Sequence, residues 1–491
     1  MSYEHHPLSY GQRALWFLQK LAPGSAAYNV PFSARVRAPL DAGAVRRAFQ
    51  ALADRHPALR TTYPMVGGAG GAPVQEVHER LEIDFGEIDA AAWGEEELRR
   101  GVAAEVHRPF DLERGPVLRL RLFRQGPEDH VLLLVMHHIA VDFLSLVILL
   151  EDLRTLLPAA LAGEKPVLPL PERRYTDFVH WQVGMLQGPE GERQWEHWRG
   201  ALSGELPRLE LPTDRPRPRI QSFRGGVQPF SLEERTAAPL AALAREEGTT
   251  LFTVLLAALK VLLHRVTGQV DLVVGSTLPG RPGPDYDGVV GYFVNTVLLR
   301  GDLSGDPPFR QFLAREARVV SAALEHQHLP FPVLVERLAP ERDLGVSPLY
   351  QVLFAFYQGE EERVLRMVTG DRDGRFQLGS LELEPFPVER RTAMMDLTLN
   401  AVSAAGTVRF ALEYDADLFD ASTVEGLAEH FQRLLLGIVE DPYRRLSDLD
   451  TAALLRQSLA LGGEKGAAGE ERADTRRALL EQQKMRRRQG R

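Results

Sequence analysis

Val131-Leu132-Leu133-Leu134-Val135-Met136-His137-His138-Ile139-Ala140-Val141-Asp142 is an apolar run that ends in two histidines and, four residues past the second, an aspartate. Six consecutive apolar side chains without alternation predict a strand buried on both faces. Such a sheet needs helices on it, and Leu144–Leu157, immediately downstream, reads as a helix packing there. The histidines leave the sheet where it opens into a loop, a common place for catalytic groups in folds that mix helices and strands. An imidazole there can accept a proton near neutral pH. Asp142 can turn back to hold the loop or pair with a cation. A His-His pair taken alone also fits structural or metal-binding roles, although no further ligands stand at helical or hairpin spacing nearby.

Upstream, Val117–Phe123 alternates and reads as a strand, and Tyr28–Val36 as another. Asp41–His56 is an amphipathic helix with Val45, Phe49 and Leu52 on one face, and Leu8–Leu18 is a helix with Ser9 placed to cap it. Downstream, residues 158–219 are rich in Pro, Arg and Glu, with a Trp-bearing helix near Tyr175–Trp198 and the best linker in the chain at Leu211–Arg219. A second segment opens near Gly225. It holds the helix Leu251–Val266, the strand Val270–Ser276, a Pro/Gly-rich loop to Asp287 and the strand Phe293–Arg300. The helix Phe309–Gln327, the strands Tyr350–Phe356 and Val408–Tyr414, and the helix Ala421–Ile438 complete it. The fold class is α/β with mixed sheets, in two similar halves. The division is 1–180 for the first lobe, 181–220 for an inter-lobe helix and linker, 221–448 for the second lobe, and 449–491 for a charged linker or docking tail.

Composition narrows the function. The 491 residues are 44% apolar and 25% charged, as in soluble globular proteins. The net charge of -9 argues against a nucleic-acid partner. With no cysteine, a Cys nucleophile, a thiolate metal site and a protein-bound thioester are all excluded. The chain has no Gly-x-Ser-x-Gly elbow, no phosphate loop ending in Gly-Lys-Ser/Thr, and no His-Glu-x-x-His. The start, Met1 to Gly11, is polar, and the apolar windows are too short or too interrupted to span a bilayer, so a cytoplasmic protein with no membrane partner is expected.

Residues 137–142 resemble the His-His-x-x-x-Asp-Gly motif of nonribosomal peptide synthetase condensation domains, members of the chloramphenicol-acetyltransferase-like superfamily. Further motifs of that family occur in order. They are Leu8-Ser9 with Gln12 and Leu15-Trp16-Phe17-Leu18, Arg55-His56 with Leu59-Arg60-Thr61, and Tyr175 with Asp177 and Trp181. Val290-Gly291, Phe293 and Asn295-Thr296, then His326 with Pro330-Phe331, and Arg342-Asp343 with Pro348-Leu349-Tyr350-Gln351 follow, so the likeness runs from about Leu8 to Asp448. The resemblance implies two acetyltransferase-like lobes in a V-shaped pseudo-dimer with a central tunnel. Donor and acceptor carrier proteins would insert phosphopantetheine arms from opposite mouths, and an acceptor amine would attack the donor thioester. His138 would be the catalytic centre, with His137 beside it packed structurally. Asp142 would be the structural Asp, paired with Arg281 from the second lobe. Asn295 would be the family's tunnel-adjacent Asn or a structural hydrogen-bonder. The domain itself would bind no cofactor or metal and act as a monomer, with neighbouring synthetase modules engaged through the tail.

The family usually has Gly where this chain has Phe143. Phe excludes easy positive φ and close backbone approach. The ring is expected either to reshape a channel for an unusual donor or acceptor, or to obstruct the tunnel and leave a recruitment domain. Ester formation with a hydroxyl acceptor and noncatalytic docking are the alternatives to amide formation. His5 and His6 read as solvated, His326 and His328 as capping or packing groups, Trp16, Phe17 and Trp181 as core, and Arg60 as structural.

Overall fold

The computed structural model describes residues 3–449 apart from 68–70, 166–167, 340–344, 359–363, 365–373, 380, 389–391 and 405. The charged tail from 450 onward, with Lys484 and Arg486 to Arg488, lies outside the described residues, as do Arg342 and Asp343. The first half contains β1 (Tyr3–Pro7), α1 (Tyr10–Leu21), β2 (Asn29–Val36), α2 (Ala42–Arg55), β3 (Thr61–Thr62), β4 (Met65–Val66) and β5 (Ala72–His78). It continues through β6 (Asp84–Asp89), α3 (Glu95–Val106), β7 (Leu118–Gly126), β8 (Asp129–His137) and α4 (Phe143–Leu161). Two helices, α5 (Tyr175–Gln187) and α6 (Pro189–Ala201), lead to the second half. There follow β9 (Gly225–Leu232), α7 (Glu234–Glu246), α8 (Leu251–Thr267), β10 (Asp271–Leu278), β11 (Asn295–Asp302), α9 (Phe309–Glu325) and α10 (Phe331–Leu338). The last are β12 (Val352–Gln358), β13 (Phe376–Leu378), β14 (Leu381–Pro385), β15 (Leu397–Ala404), β16 (Thr407–Asp415) and α11 (Ala421–Glu440).

Two six-stranded mixed sheets organise the molecule, ordered β13-β14-β2-β8-β7-β6 and β11-β10-β12-β15-β16-β9. In the first only β6 and β7 run parallel; in the second β12 lies parallel to both β10 and β15. β8 sits inside the first sheet between β2 and β7, and all six apolar side chains from Val131 to Met136 are buried. Each such burial contributes roughly 1.5–3 kcal/mol. The helix α2 packs beside α4 on this sheet. Asp41 caps α2 by accepting from the N–H groups of Gly43 and Ala44.

Three points differ from the sequence reading. The Trp-bearing helix is two helices, broken at Gly188 in extended backbone, with Pro189 opening α6 where its missing N–H costs nothing. A boundary at residue 180 therefore falls inside α5. The span 221–448 is also not all one lobe: β14 pairs antiparallel with β2, matching Leu383 to Val36, so the hairpin β13–β14 completes the first sheet. Its residues Phe376, Leu378, Leu381 and Leu383, together with Phe386, are buried in the first core. Phe17, expected in the core, is exposed instead, because two residues on from buried Leu15 it falls on nearly the opposite face of α1. Between the two large cores, Tyr175, Phe178 and Val179 of α5 pack with Tyr286, Val289 and Phe293 in a third, small cluster. The linker is tethered too, with Arg217 ion-paired to Asp396 and Arg215 to Asp420. Among the described residues no single helix is long and apolar enough to cross a membrane.

Candidate active site

β8 ends in a tight turn. The His138 N–H donates to the Tyr28 carbonyl at 2.9 Å, just before the start of β2, and the Ala140 N–H returns to the His137 carbonyl at 3.0 Å. Asp142 ends the turn and caps α4, its Oδ1 accepting from the Ser145 N–H at 2.7 Å. These two devices fix the backbone on either side of His138.

The neighbouring imidazoles are held oppositely. Nδ1 of His138 lies 2.6 Å from the Val141 carbonyl oxygen, which can only accept, so Nδ1 carries the proton. Neutral His138 thus presents its lone pair on Nε2, which has no hydrogen-bonding partner among the described residues. Burial lowers its pKa, opposed by the Val141 hydrogen bond and by the Asp142 charge. In His137, Nδ1 accepts from the Ile139 N–H at 3.1 Å, which puts its proton on Nε2. That nitrogen is buried and unpartnered, in a side chain only 1% exposed and flanked edge-on by Phe110. Burial pushes the His137 pKa down to about 3. The pair is a presented base and a packed, neutral neighbour.

Asp142 and Arg281 meet across the lobes. Arg281 Nη1 lies 3.1 Å from Asp142 Oδ2, and Nη2 lies 3.4 Å from Oδ1. Asp142 Oδ2 also accepts from the Phe293 N–H at 3.2 Å. Arg281 spends its remaining donors on the Tyr286 and Val289 carbonyls and stacks over the Phe293 ring. Both side chains are buried with their hydrogen-bonding groups satisfied, the condition under which a buried pair fixes geometry. Gly280 lets Arg281 enter: its φ is +67°, and a Cβ there would come within 2.0 Å of the Phe293 carbonyl oxygen.

Asn295 does not face the histidines with its amide. Its Nδ2 donates to the Gln327 and Leu329 carbonyls, both at 2.8 Å, and Oδ1 accepts from the Phe331 N–H at 2.9 Å. It clamps the turn between α9 and α10, which is the structural alternative left open by the sequence. Phe143 occupies the first turn of α4 without positive φ, and its ring meets Tyr357 of β12 edge-on at 5.1 Å, another contact between the lobes.

Three supports have no role assigned by the sequence, although Gln12 and Tyr175 stand in its motifs. Ser145 Oγ lies 2.7 Å from Asp142 Oδ1 and accepts from the Gly291 N–H at 3.0 Å. Tyr175 OH reaches both the Tyr292 carbonyl and Ser9 Oγ. Buried Gln12 completes the capping box of α1 with Ser9 and donates to the Ile139 carbonyl at 3.0 Å. Gln12 leaves a local signal, the Ser-x-x-Gln spacing of a capping box, and Tyr175 a motif position, but all three act through partners more than 110 residues away, which spacing does not show. Among the described residues no cluster of three or more His, Asp or Glu side chains is arranged to hold a metal ion.

Comparison with known proteins agrees with this arrangement. Residues 2–457 match the Condensation domain family model. The chain is 40% identical to a linear gramicidin synthase from Brevibacillus parabrevis over 451 residues, 90% of this chain and 6% of that protein. It is 39% identical to the phosphinothricin tripeptide synthetase PhsB of Streptomyces viridochromogenes, over 87% of this chain and 35% of that one. It thus spans a small part of these longer relatives. Among solved structures, the X-domain from teicoplanin biosynthesis superposes with a TM-score of 0.82 at 31% identity, covering 92% of this chain and 98% of that one. A four-domain nonribosomal peptide synthetase bound to AMP and glycine gives 0.81 at 26% identity, over 92% of this chain and 34% of that one. The two mixed sheets, the ordered motifs and these matches place the chain in the condensation-domain family of nonribosomal peptide synthetases, with its chloramphenicol-acetyltransferase-like fold.

Proposed function

We propose that this domain joins a carrier-bound acyl or peptidyl thioester to the amine of a carrier-bound aminoacyl acceptor, with His138 as the central residue. The observation that carries this reading is the tautomer: Val141 holds the proton on Nδ1 and leaves a basic, unpartnered Nε2. The amine nitrogen bonds to the thioester carbon, His138 Nε2 takes the amine proton, the C–S bond breaks, and that proton passes to the departing thiolate. Positioning of the two substrates supplies a large part of the rate. Asp142 and Arg281 act as positioning residues, keeping the α4 start and the 281–293 loop in register around the turn. Donor and acceptor carrier proteins are the partners, and their phosphopantetheine arms bring the only cofactor chemistry. The site of action is the cytoplasm, and the tail beyond 449 serves as linker or docking segment. Phe143, whose ring meets Tyr357 between the lobes, shifts donor or acceptor preference.

A second reading is favoured by one observation. The X-domain to which this chain is 30% identical has been solved in complex with OxyB, so a domain of this fold and similarity binds a protein partner. A recruitment role for this chain is the corresponding alternative. Mass spectrometry of intact acceptor carrier, mixed with acyl-loaded donor carrier and this domain, separates the two. Transfer that disappears in His138→Ala supports condensation; a hydroxyl-bearing acceptor in the same assay reads ester formation. Absence of transfer with acyl and peptidyl donors and both acceptor types favours recruitment. Phe143→Gly is expected to change relative rates among donors, and unchanged rates across the panel would remove it as a specificity residue.

A further inference from the structure

We infer that the phenol of Tyr292 is a further catalytic residue, donating a hydrogen bond to the carbonyl oxygen of the donor thioester as that oxygen becomes an oxyanion; this rests on the acyl-transfer reading above. The Tyr292 ring meets the His138 imidazole edge-on, with centroids 5.1 Å apart and planes at 88°. Gly11 of α1 presses on the same ring: a Cβ there would lie 2.6 Å from Cε1 of Tyr292. The surrounding backbone is pinned from three directions. The Gly291 N–H donates to Ser145 Oγ at 3.0 Å, the Tyr292 carbonyl accepts from Tyr175 OH at 2.7 Å, and the Phe293 N–H donates to Asp142 at 3.2 Å. Helices α1, α4 and α5 therefore all set where this one ring stands.

The polar end of that ring has no hydrogen-bonding partner among the described residues. Three other tyrosines near the site are paired: Tyr63 OH bonds Gln12 and the Ile139 carbonyl, Tyr175 OH bonds Ser9, and Tyr350 OH bonds Thr296. Tyr28, close to Tyr292, has no hydroxyl partner among the described residues either. A half-buried phenol that is placed so thoroughly and left unpaired is suited to a group that arrives with substrate. Burial, with Tyr350 and the Asp142 carboxylate nearby, raises its pKa, so it stays a donor and cannot serve as a base. The two groups are complementary. Nε2 of His138 accepts the proton that the attacking amine must lose, and Tyr292 donates to the oxygen that must gain charge. As the C–N bond forms, the carbonyl π pair moves onto oxygen. As the tetrahedral centre collapses, that pair re-forms the carbonyl and the thiolate leaves with the proton from Nε2–H. Tyr292 keeps its own proton throughout.

Tyr292→Phe removes the hydroxyl and keeps the ring. In the carrier transfer assay it is expected to lower kcat about 10²–10³-fold, with KM for the donor carrier within about twofold of wild type. The acid limb of its pH profile is expected to stay where wild type has it, because His138 has not moved. Gly11→Ala, which displaces the ring, is expected to lower kcat as well. A Tyr292→Phe enzyme within twofold of wild type in kcat, a loss confined to KM, or a shifted acid limb overturns the inference while leaving the His138 reading intact. A wild type that transfers nothing, or transfers equally well as His138→Ala, overturns that reading and this inference with it.

Discussion

At His138 the Val141 carbonyl settles the tautomer, and burial settles the charge: the imidazole pKa falls below its ordinary 6.5. The neutral, basic form therefore predominates at neutral pH. The pH profile of kcat/KM is expected to show an acid limb with its midpoint below 6.5; a midpoint at 7 or above would contradict the burial argument. Asp142 and Arg281 make a second prediction at this scale. Each is buried, so removing one leaves the other's charge uncompensated. Arg281→Ala or Asp142→Ala should cost about 3–5 kcal/mol in urea unfolding. The double substitution should cost less than the sum of the two. The chemistry-bearing residue types are readable in the motif, but the direction in which each imidazole points is not. Two identical side chains in sequence receive opposite hydrogen bonds, one from a backbone N–H and one to a carbonyl, and only the turn decides which.

Among the elements, α1, α2 and α4 begin where their caps stand, at Ser9, Asp41 and Asp142. Capping is local chemistry: the sequence places Ser9 to cap α1 and Asp41 near the start of its helix, while it shows Asp142 as a group that pairs or holds the loop, and in the structure all three cap. Ser9→Ala is expected to cost about 0.5–2 kcal/mol in chemical denaturation, because Ser9 both caps α1 and accepts from Tyr175. The hairpin β13–β14 is not legible at all. Its strands are three and five residues long, and its partner β2 lies about 350 residues earlier. Leu383 is fully buried in the first core, although it belongs by sequence to the second half. Leu383→Ala should destabilise by about 2–5 kcal/mol in equilibrium unfolding; a loss below about 1 kcal/mol would mean the hairpin adds little to that core.

The whole molecule is two cores stitched by the β13–β14 hairpin, the small α5 cluster and the Asp142–Arg281 pair. Its interior also holds histidines kept neutral by burial. His137 has a folded pKa of about 3 against 6.5 unfolded. Between those values the unfolded chain binds the extra proton. Its contribution to stability is therefore complete above pH 6.5 and lost as pH falls toward 3. Comparing the pH dependence of unfolding free energy for wild type and His137→Gln isolates this group. The wild-type slope should be steeper between about pH 4 and 6, by up to about 1.4 kcal/mol per pH unit. Equal slopes would show that His137 is not held neutral.

The family motifs, the buried central strand and the long amphipathic helices are available from the chain itself, and the pairing of Asp142 with Arg281 is what the family resemblance implies. Periodicity, capping and residue type are local properties, and the one long-range pairing comes from the resemblance to the family rather than from them. Which lobe owns the 376–386 segment, which nitrogen of His138 is free, and that Tyr292 stands unpaired beside it depend on the tertiary structure. The free nitrogen of His138 is set by a carbonyl three residues on, in a turn that the neighbouring Tyr28 carbonyl helps to hold. The other two follow from contacts between elements far apart in sequence, where packing and hydrogen-bond satisfaction rather than local preference select the arrangement.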